Sequence, residues 1–132
     1  MGEIFVLVEH RQGAIREITF QMLWKADKLC RELKHSLTAV LIGGVDSPFI
    51  KDITEKADRV LVFEDERFKN FDADLYKEIL NRLIIEREPF ITLIGHTPWG
   101  MDLAPALAVK RCLPLATDCV DILIEDSGPK VI

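Results

Sequence analysis

The stretch Ile4-Phe5-Val6-Leu7-Val8 places five apolar residues in succession, with no alternation between apolar and polar positions. Three later runs, at residues 37–42, 60–63 and 90–94, are also short and nearly continuous in apolar character. A strand that is apolar on both faces must be covered on both faces, which is typical of parallel sheets between helices. These runs therefore predict the central strands of a parallel sheet.

The segments between the runs are long enough for crossover helices. The first predicted helix has Thr19 as its N-cap and shows an apolar stripe at helical spacing, formed by Met22, Leu23, Ala26, Leu29, Cys30 and Leu33. A short second helix is expected to start at Asp46 or Ser47, and a third near Asp72, ending before Pro89. The fourth follows residues 95–100, with a bend or a late start because Pro105 falls within it.

This order of elements predicts an α/β fold, a three-layer α-β-α arrangement around a mostly parallel five-stranded sheet. The fifth strand is expected between about residues 115 and 124, at an edge of the sheet. In such folds ligands bind beyond the carboxyl ends of the strands, where the strand order reverses. Three segments qualify by position: residues 9–11, 43–47 and 95–100.

Composition bounds the class of protein. The chain has 132 residues and a net charge of −5, which predicts one globular domain over residues 1–132 and argues against nucleic-acid binding. No apolar run approaches the roughly 20 residues of a membrane span, and no signal peptide is expected. The widely spaced Cys30, Cys112 and Cys119 are predicted to be buried packing residues in a reducing, cytoplasmic compartment.

Residues 95–102, Gly-His-Thr-Pro-Trp-Gly-Met-Asp, have the glycine spacing of a phosphate-binding loop. Met101 and Asp102 stand where such a loop requires lysine and a hydroxyl residue, so an NTPase is excluded. Two interpretations stay open. The segment is either a plain turn, or a helix start capped by Thr97 that binds an anion or closely approaches another backbone.

Residues 43–47, Gly-Gly-Val-Asp-Ser, are similar to a pyrophosphatase loop, but Ile42 replaces its leading serine and capping explains Asp46 and Ser47. His10, His35 and His96 are scattered, and no metal site is expected. Among the aromatic residues, Trp99 is a candidate anchor for a partner; the alternative is packing across the end of the sheet.

Two longer stretches are more specific than these short motifs. The first is Val8-Glu9-His10-Arg11-Gln12-Gly13-Ala14-Ile15-Arg16, followed by residues 19–23. The second is residues 95–108, Gly-His-Thr-Pro-Trp-Gly-Met-Asp-Leu-Ala-Pro-Ala-Leu-Ala, followed by residues 115–119. In order and spacing they resemble the N-terminal domain of the electron transfer flavoprotein α subunit. The likeness covers essentially the whole chain.

The resemblance implies an adenine nucleotide α-hydrolase-like, or Rossmann-like, domain. It implies an α subunit paired with a β subunit, in which one FAD carries electrons from dehydrogenases to a quinone reductase or another acceptor. The FAD is expected mainly on a separate C-terminal domain that is missing here, in an excised domain or a shortened relative. The resemblance also allows for AMP bound to the partner subunit. The implied location is the cytoplasm, or the mitochondrial matrix in a eukaryote.

The leading hypothesis is thus a non-enzymatic scaffold that by itself binds FAD weakly or not at all and that self-associates when isolated. The alternative is a stand-alone AMP- or ATP-binding domain, and a third hypothesis is an enzyme of the pyrophosphatase-loop type. No catalytic residue and no FAD ligand is assigned. The candidate binding residues at the sheet edge are Glu9, His10, Arg11, Gly95, Thr97 and Gly100.

Overall fold

The computed structural model describes residues 2–11, 14–43, 47–64, 68, 72–111, 113–117, 119, 121–125 and 128–132. In chain order the elements are β1 (Glu3–Leu7), β2 (His10–Arg11), β3 (Ala14–Ile15), α1 (Glu17–Leu33), β4 (Ser36–Ile42), α2 (Ser47–Thr54), β5 (Arg59–Phe63), α3 (Ala73–Arg87), β6 (Ile91–Leu93), α4 (Pro98–Arg111), β7 (Ile122–Glu125) and β8 (Gly128–Val131). The four apolar runs of the sequence form β1, β4, β5 and β6, and all four predicted crossover helices are present.

Among the described residues, the main sheet has four parallel strands in the order β5-β4-β1-β6. The register places Val6 of β1 between Ala39 of β4 and Leu93 of β6, and Ala39 is opposite Val60 of β5. The strand β1 is central, and its residues from Ile4 onward are buried. The prediction of a parallel sheet is confirmed.

Two apolar cores separate the three layers. On one side of the sheet, buried residues such as Val6 and Ala39 pack with Leu23 of α1 and Ile53 of α2. On the other side, Phe5 and Val40 pack with side chains of α3 and α4, including Leu80, Tyr76, Leu103 and Leu107. Successive strand residues point to opposite faces, so each buried strand feeds both cores. This arrangement confirms the predicted α-β-α layering.

The predicted fifth strand of the sheet is wrong. Within the described part of residues 113–121 there is no strand, and β7 pairs with β8 as a separate antiparallel hairpin. Along β7, Ile122 and Ile124 pack against the α1-side core, whereas Leu123 and Glu125 are exposed. Such alternation suits a strand covered on one face only, not one enclosed between two helical layers.

Two predicted helix boundaries are corrected. The helix α1 begins at Glu17, with Arg16 at the N-cap position, so Thr19 lies inside the first turn rather than capping it. The helix α4 begins at Pro98, so the late start is wrong and Pro105 lies within the helix. Because proline has no N–H group, the backbone carbonyl four residues earlier, that of Met101, lacks its helical donor. Both residues are on an exposed part of the helix, where water can donate to this carbonyl instead.

The predicted boundaries of α3 are confirmed. The carboxylate of Asp72 accepts hydrogen bonds from the backbone N–H groups of Asp74 and Leu75, at 2.9 and 3.2 Å, and the helix ends at Arg87. The helix α2 starts at Ser47, and Asp46 lies outside the described residues. None of the described helices has the length and apolar character needed to cross a membrane.

Candidate functional site

The strand order creates a switch point beside β1. From β1 the chain proceeds outward through β4 and β5, and then crosses to the other side of β1 to form β6. The carboxyl ends of β1 and β6 therefore define the place where ligands bind in open α/β sheets. Glu9 and His10 follow β1 at this edge, and residues 95–97 follow β6.

A buried carboxylate lies at the start of α4. The Thr97 hydroxyl donates a hydrogen bond to Oε1 of Glu9 and accepts a longer one, at 3.4 Å, from the backbone N–H of Gly100. Glu9 is only 6% exposed, and its Oε2 atom lies 3.9 Å from Nε of Arg16. A helix N-terminus favours negative charge. The chain's own carboxylate therefore lies next to the helix start where a bound anion was considered.

The backbone of Glu9 is also held in place. Its N–H donates to Oγ1 of Thr19 at 2.8 Å, while its carbonyl accepts from the Thr19 hydroxyl at 3.1 Å and from the Arg16 N–H at 2.8 Å. Thr19 thus links the end of β1 to the start of α1. The sequence pattern around Thr19 predicted only a helix cap. It could not reveal this link, because the bonds join residues ten positions apart that belong to different segments.

His10 is the centre of a second buried cluster. Its Nε2 atom donates to the carbonyl oxygen of Ile42 at 2.7 Å, and the Tyr76 hydroxyl donates to the same oxygen at 2.8 Å. Burial raises the pKa of the Tyr76 phenol, which keeps the hydroxyl a donor. The Trp99 ring meets the rings of His10 and Tyr76 edge to face, with centroids 5.3 and 5.4 Å apart.

This cluster answers the question left open for Trp99. The indole is half-buried and packs across the end of the sheet, as the alternative interpretation expected. His10 is 5% exposed. The candidate residues Glu9 and His10 are therefore brought together at one edge, but as groups that bond to their own neighbours rather than as an open set of ligands.

Two glycines permit close backbone packing at this edge. A Cβ atom on Gly100 would lie 1.7 Å from the carbonyl oxygen of Gly95, so the Gly-x4-Gly spacing serves the expected close approach of two backbones. Gly43 has a φ of +115°, and a Cβ there would lie 2.8 Å from the carbonyl oxygen of Phe68 and 3.0 Å from the His10 ring. Residues 44–46 of the pyrophosphatase-like loop lie outside the described residues.

The remaining candidates are apart from these clusters. The Arg11 side chain is exposed on the short β2–β3 pair, and His96 is exposed beside Thr97. His35 lies at the opposite edge of the sheet, where its Nδ1 accepts a hydrogen bond from the Gly2 N–H at 3.0 Å. Across the residues that the structure describes, no group of three or more His, Cys, Asp or Glu side chains is arranged to hold a metal ion.

The cysteines do not all follow the prediction. Cys30 is buried, and burial raises the pKa of its thiol to about 11, with the nearby charges of Asp58 and Asp27 adding to the increase. Cys119 is exposed, so its prediction as a packing residue is wrong, because it lies on the segment that fails to enter the sheet. Cys112 lies outside the described residues.

The amino edge of the sheet carries an ion-pair network that sequence reasoning missed. Glu3 accepts two hydrogen bonds from Arg87, both at 2.9 Å, one from Thr38, and a weaker contact from Arg59 at 3.4 Å. Burial raises the pKa of Glu3, but these bonds and charges outweigh it and hold the pKa below its ordinary value. A cavity of about 380 Å³ beside the network is lined by Gly2, Glu3, Ser36, Arg59, Arg87 and Glu88.

Comparison with known proteins gives a consistent result. The family model described as the electron transfer flavoprotein domain matches residues 4–132. The chain is 32% identical over 123 residues to the electron transfer flavoprotein subunit alpha of Clostridium acetobutylicum, covering 92% of this chain and 37% of the relative. For the corresponding subunit of Syntrophomonas wolfei the identity is 37%, with coverage of 92% and 38%.

A third relative is named as part of an enzyme. The lactate dehydrogenase (NAD(+),ferredoxin) subunit LctC of Acetobacterium woodii is 30% identical over 132 residues, covering 94% of this chain and 30% of the relative. The chain thus spans between 30% and 38% of the length of these relatives. With a family model that matches nearly its whole length, this chain belongs to the electron transfer flavoprotein domain family.

Proposed function

We propose that this chain is the scaffold module of an electron transfer flavoprotein, of the α-subunit N-terminal type. It supports a flavin-binding domain and packs on a β subunit, and it has no side-chain chemistry of its own. The observation that carries this proposal is the bonding among the described side chains at the carboxyl ends of β1 and β6. There Glu9 bonds to Thr97, and His10 is enclosed by Tyr76 and Trp99.

The same geometry disfavours the stand-alone AMP- or ATP-binding alternative, which the comparisons do not support either. A nucleotide phosphate at the start of α4 would meet the Glu9 carboxylate, and like charges in a poorly hydrated place repel strongly. A base would have to displace the aromatic rings of Trp99 and His10, which are already in contact. Both costs would have to be overcome by the ligand.

The complete flavoprotein is proposed as a heterodimer that carries FAD outside this module, with AMP placed on the partner subunit. Its electron donors are dehydrogenases, and its acceptor is a quinone reductase or another carrier. Two relatives support this direction by name: LctC is a dehydrogenase subunit, and an Anaerotignum propionicum relative is named acryloyl-CoA reductase electron transfer subunit beta. A cytoplasmic location is part of the same proposal.

Titration of the purified chain with FAD, AMP and ATP tests the proposal, using calorimetry and thermal unfolding together. A ligand at 100 times its dissociation constant adds about 2.7 kcal/mol to the free energy of unfolding, which is easily measured. We expect no heat, no thermal shift and no retained flavin absorbance. The complete Clostridium acetobutylicum flavoprotein serves as the positive control for FAD.

The variant Glu9→Gln provides a matched comparison, since it removes the charge at the start of α4 and keeps the shape of the side chain. Should AMP or ATP stabilise the parent chain, the scaffold proposal is wrong and the nucleotide-binding alternative replaces it. Stabilisation of the variant alone would instead support the view that Glu9 closes the edge against anions.

A further inference from the structure

The strand β5 forms one edge of the main sheet. It pairs with β4 on one side, and in the part of the chain that the structure describes no strand pairs with its other side. The carbonyl of Phe63 accepts a hydrogen bond from the N–H of Gly43, directly after β4, at 2.9 Å, so the polar backbone groups of Phe63 are directed towards β4. Because these groups alternate in direction along a strand, Val60 and Val62 present theirs away from the sheet.

This edge lacks the features that commonly protect the edges of sheets. Natural edge strands are often very short, interrupted by proline, or charged. The interior of β5 is Val60-Leu61-Val62, without charge, proline or glycine, and the Val62 side chain is 40% exposed. The charged residue of the strand, Arg59, stands at its first position and contacts Glu3. An edge of this kind favours pairing with a further strand.

The other strands at an edge are better protected. The strand β6, at the opposite edge of the main sheet, has only three residues, and its middle residue is the polar Thr92. In the separate hairpin, β8 contains Pro129, which has no N–H group to donate. Among the strands that the structure describes, β5 is therefore the edge most open to pairing.

The sequence of β5 complements itself when two copies of the strand run antiparallel. With the two Leu61 residues opposite each other, Val60 lies opposite Val62 of the other copy, and Arg59 lies opposite its Phe63. Each Val60–Val62 pair can then exchange both of its hydrogen bonds, because the free N–H and C=O groups face each other. Apolar residues oppose apolar ones and no like charges meet. A two-fold axis relates the copies, as in most dimers.

We infer that two copies of this chain associate by antiparallel pairing of their β5 edges and so form one continuous sheet. The five residues of the strand span about 17 Å. With three layers, each about 10 Å thick, the contact offers roughly 500 Å² on each copy. A stable interface needs roughly 800 Å² from each partner, so this dimer is weak and reversible. The inference is independent of the proposed function, which the ligand titrations test separately.

The test is sedimentation equilibrium of the chain at concentrations from about 10 µM to about 1 mM. We expect the mass to rise from 15.0 kDa towards twice that value. Val62→Lys places two like charges close to the two-fold axis and should raise the dissociation constant at least tenfold. The matched control is Leu123→Lys, because Leu123 is 42% exposed on a strand of the separate hairpin, and it should change the constant less than threefold. Circular dichroism and thermal unfolding establish that both variants fold.

Amide hydrogen exchange of the parent chain, resolved by NMR, locates the contact without any variant. Exchange at Val60 and Val62 should slow at least threefold between the lowest and the highest concentration, whereas exchange at Leu61, already paired with β4, should not change. A single-copy mass at every concentration overturns the inference. It is equally wrong if Val62→Lys leaves the dimer as tight as before, if Leu123→Lys weakens it as much, or if Val60 and Val62 exchange at an unaltered rate.

Discussion

Replacing Gly100 by alanine is expected to displace the start of α4 from the loop that follows β6. The new Cβ atom would lie 1.7 Å from the carbonyl oxygen of Gly95, whereas real Cβ atoms essentially never come closer than 3.0 Å. The two backbones must therefore separate by at least 1.3 Å, the difference between these two distances. Neither contacting atom belongs to a flexible side chain, so no rotamer change can relieve the overlap.

The cost follows from what moves with the helix. Overpacking of this kind costs about 1–3 kcal/mol. The same movement pulls Thr97 from the Glu9 carboxylate and Trp99 from His10, and a lost hydrogen bond adds about 1 kcal/mol. We expect the free energy of unfolding to fall by about 2–4 kcal/mol, which lowers the urea midpoint by roughly 1–2 M for a chain of this size.

The assay is urea unfolding, followed by circular dichroism and by tryptophan fluorescence. The variant Gly95→Ala is the matched control, because its Cβ would lie 3.1 Å from Cγ1 of Ile18, a side-chain atom that can shift by a few tenths of an ångström. It should cost less than about 1 kcal/mol. Equal midpoints for Gly100→Ala and Gly95→Ala would refute the argument from backbone contact.

Three other predictions concern single side chains. Tyr76→Phe should lower the free energy of unfolding by about 1 kcal/mol in urea, because the carbonyl of Ile42 loses one of its two donors; an unchanged midpoint contradicts this. The pKa of Glu3 lies below its ordinary value of 4.5, so its ion pairs stabilise the fold fully above about pH 4.5. Unfolding curves measured at decreasing pH should show this stabilisation lost as Glu3 becomes protonated below pH 4.5, and Glu3→Gln should remove this loss. In a Cys112→Ser background at pH 8, a thiol reagent should modify Cys119 quickly and Cys30 only on unfolding, as mass spectrometry of peptides will show; equal rates would be inconsistent with a buried Cys30.

Much of the framework was predictable because its causes are local. Runs that are apolar on both faces favour removal from water on both sides, so they predicted four parallel strands and the helices that cover them. The start of α3 followed from the short polar side chain of Asp72, which satisfies N–H groups two and three residues away, and its end followed from Pro89. The resemblance to the family rested on two other stretches, residues 8–23 and 95–119, in which the order and spacing of residues can be read directly.

Which residues meet at the carboxyl edge of the sheet, and how they bond, was only partly predictable. The rule that carboxyl ends of parallel strands meet at one edge correctly brought Glu9 and Thr97 together. It could not show that the two residues bond to each other. The hairpin of β7 and β8 was missed for a similar reason, since its apolar positions say that one face is covered but not which neighbour covers it.

By itself the sequence determined the layers, the parallel sheet and the family, because apolar periodicity, capping and motif spacing are properties of neighbouring residues. Only the tertiary structure decided that Tyr76, Trp99 and His10 form one cluster, since residues separated by 66 positions meet through the crossing of α3 and α4 over the sheet. It also decided that Met101 of α4 is exposed while Leu103 and Leu107 of the same helix are buried. An apolar residue shows only that it favours burial, and the arrangement of the other elements determines whether a cover is present.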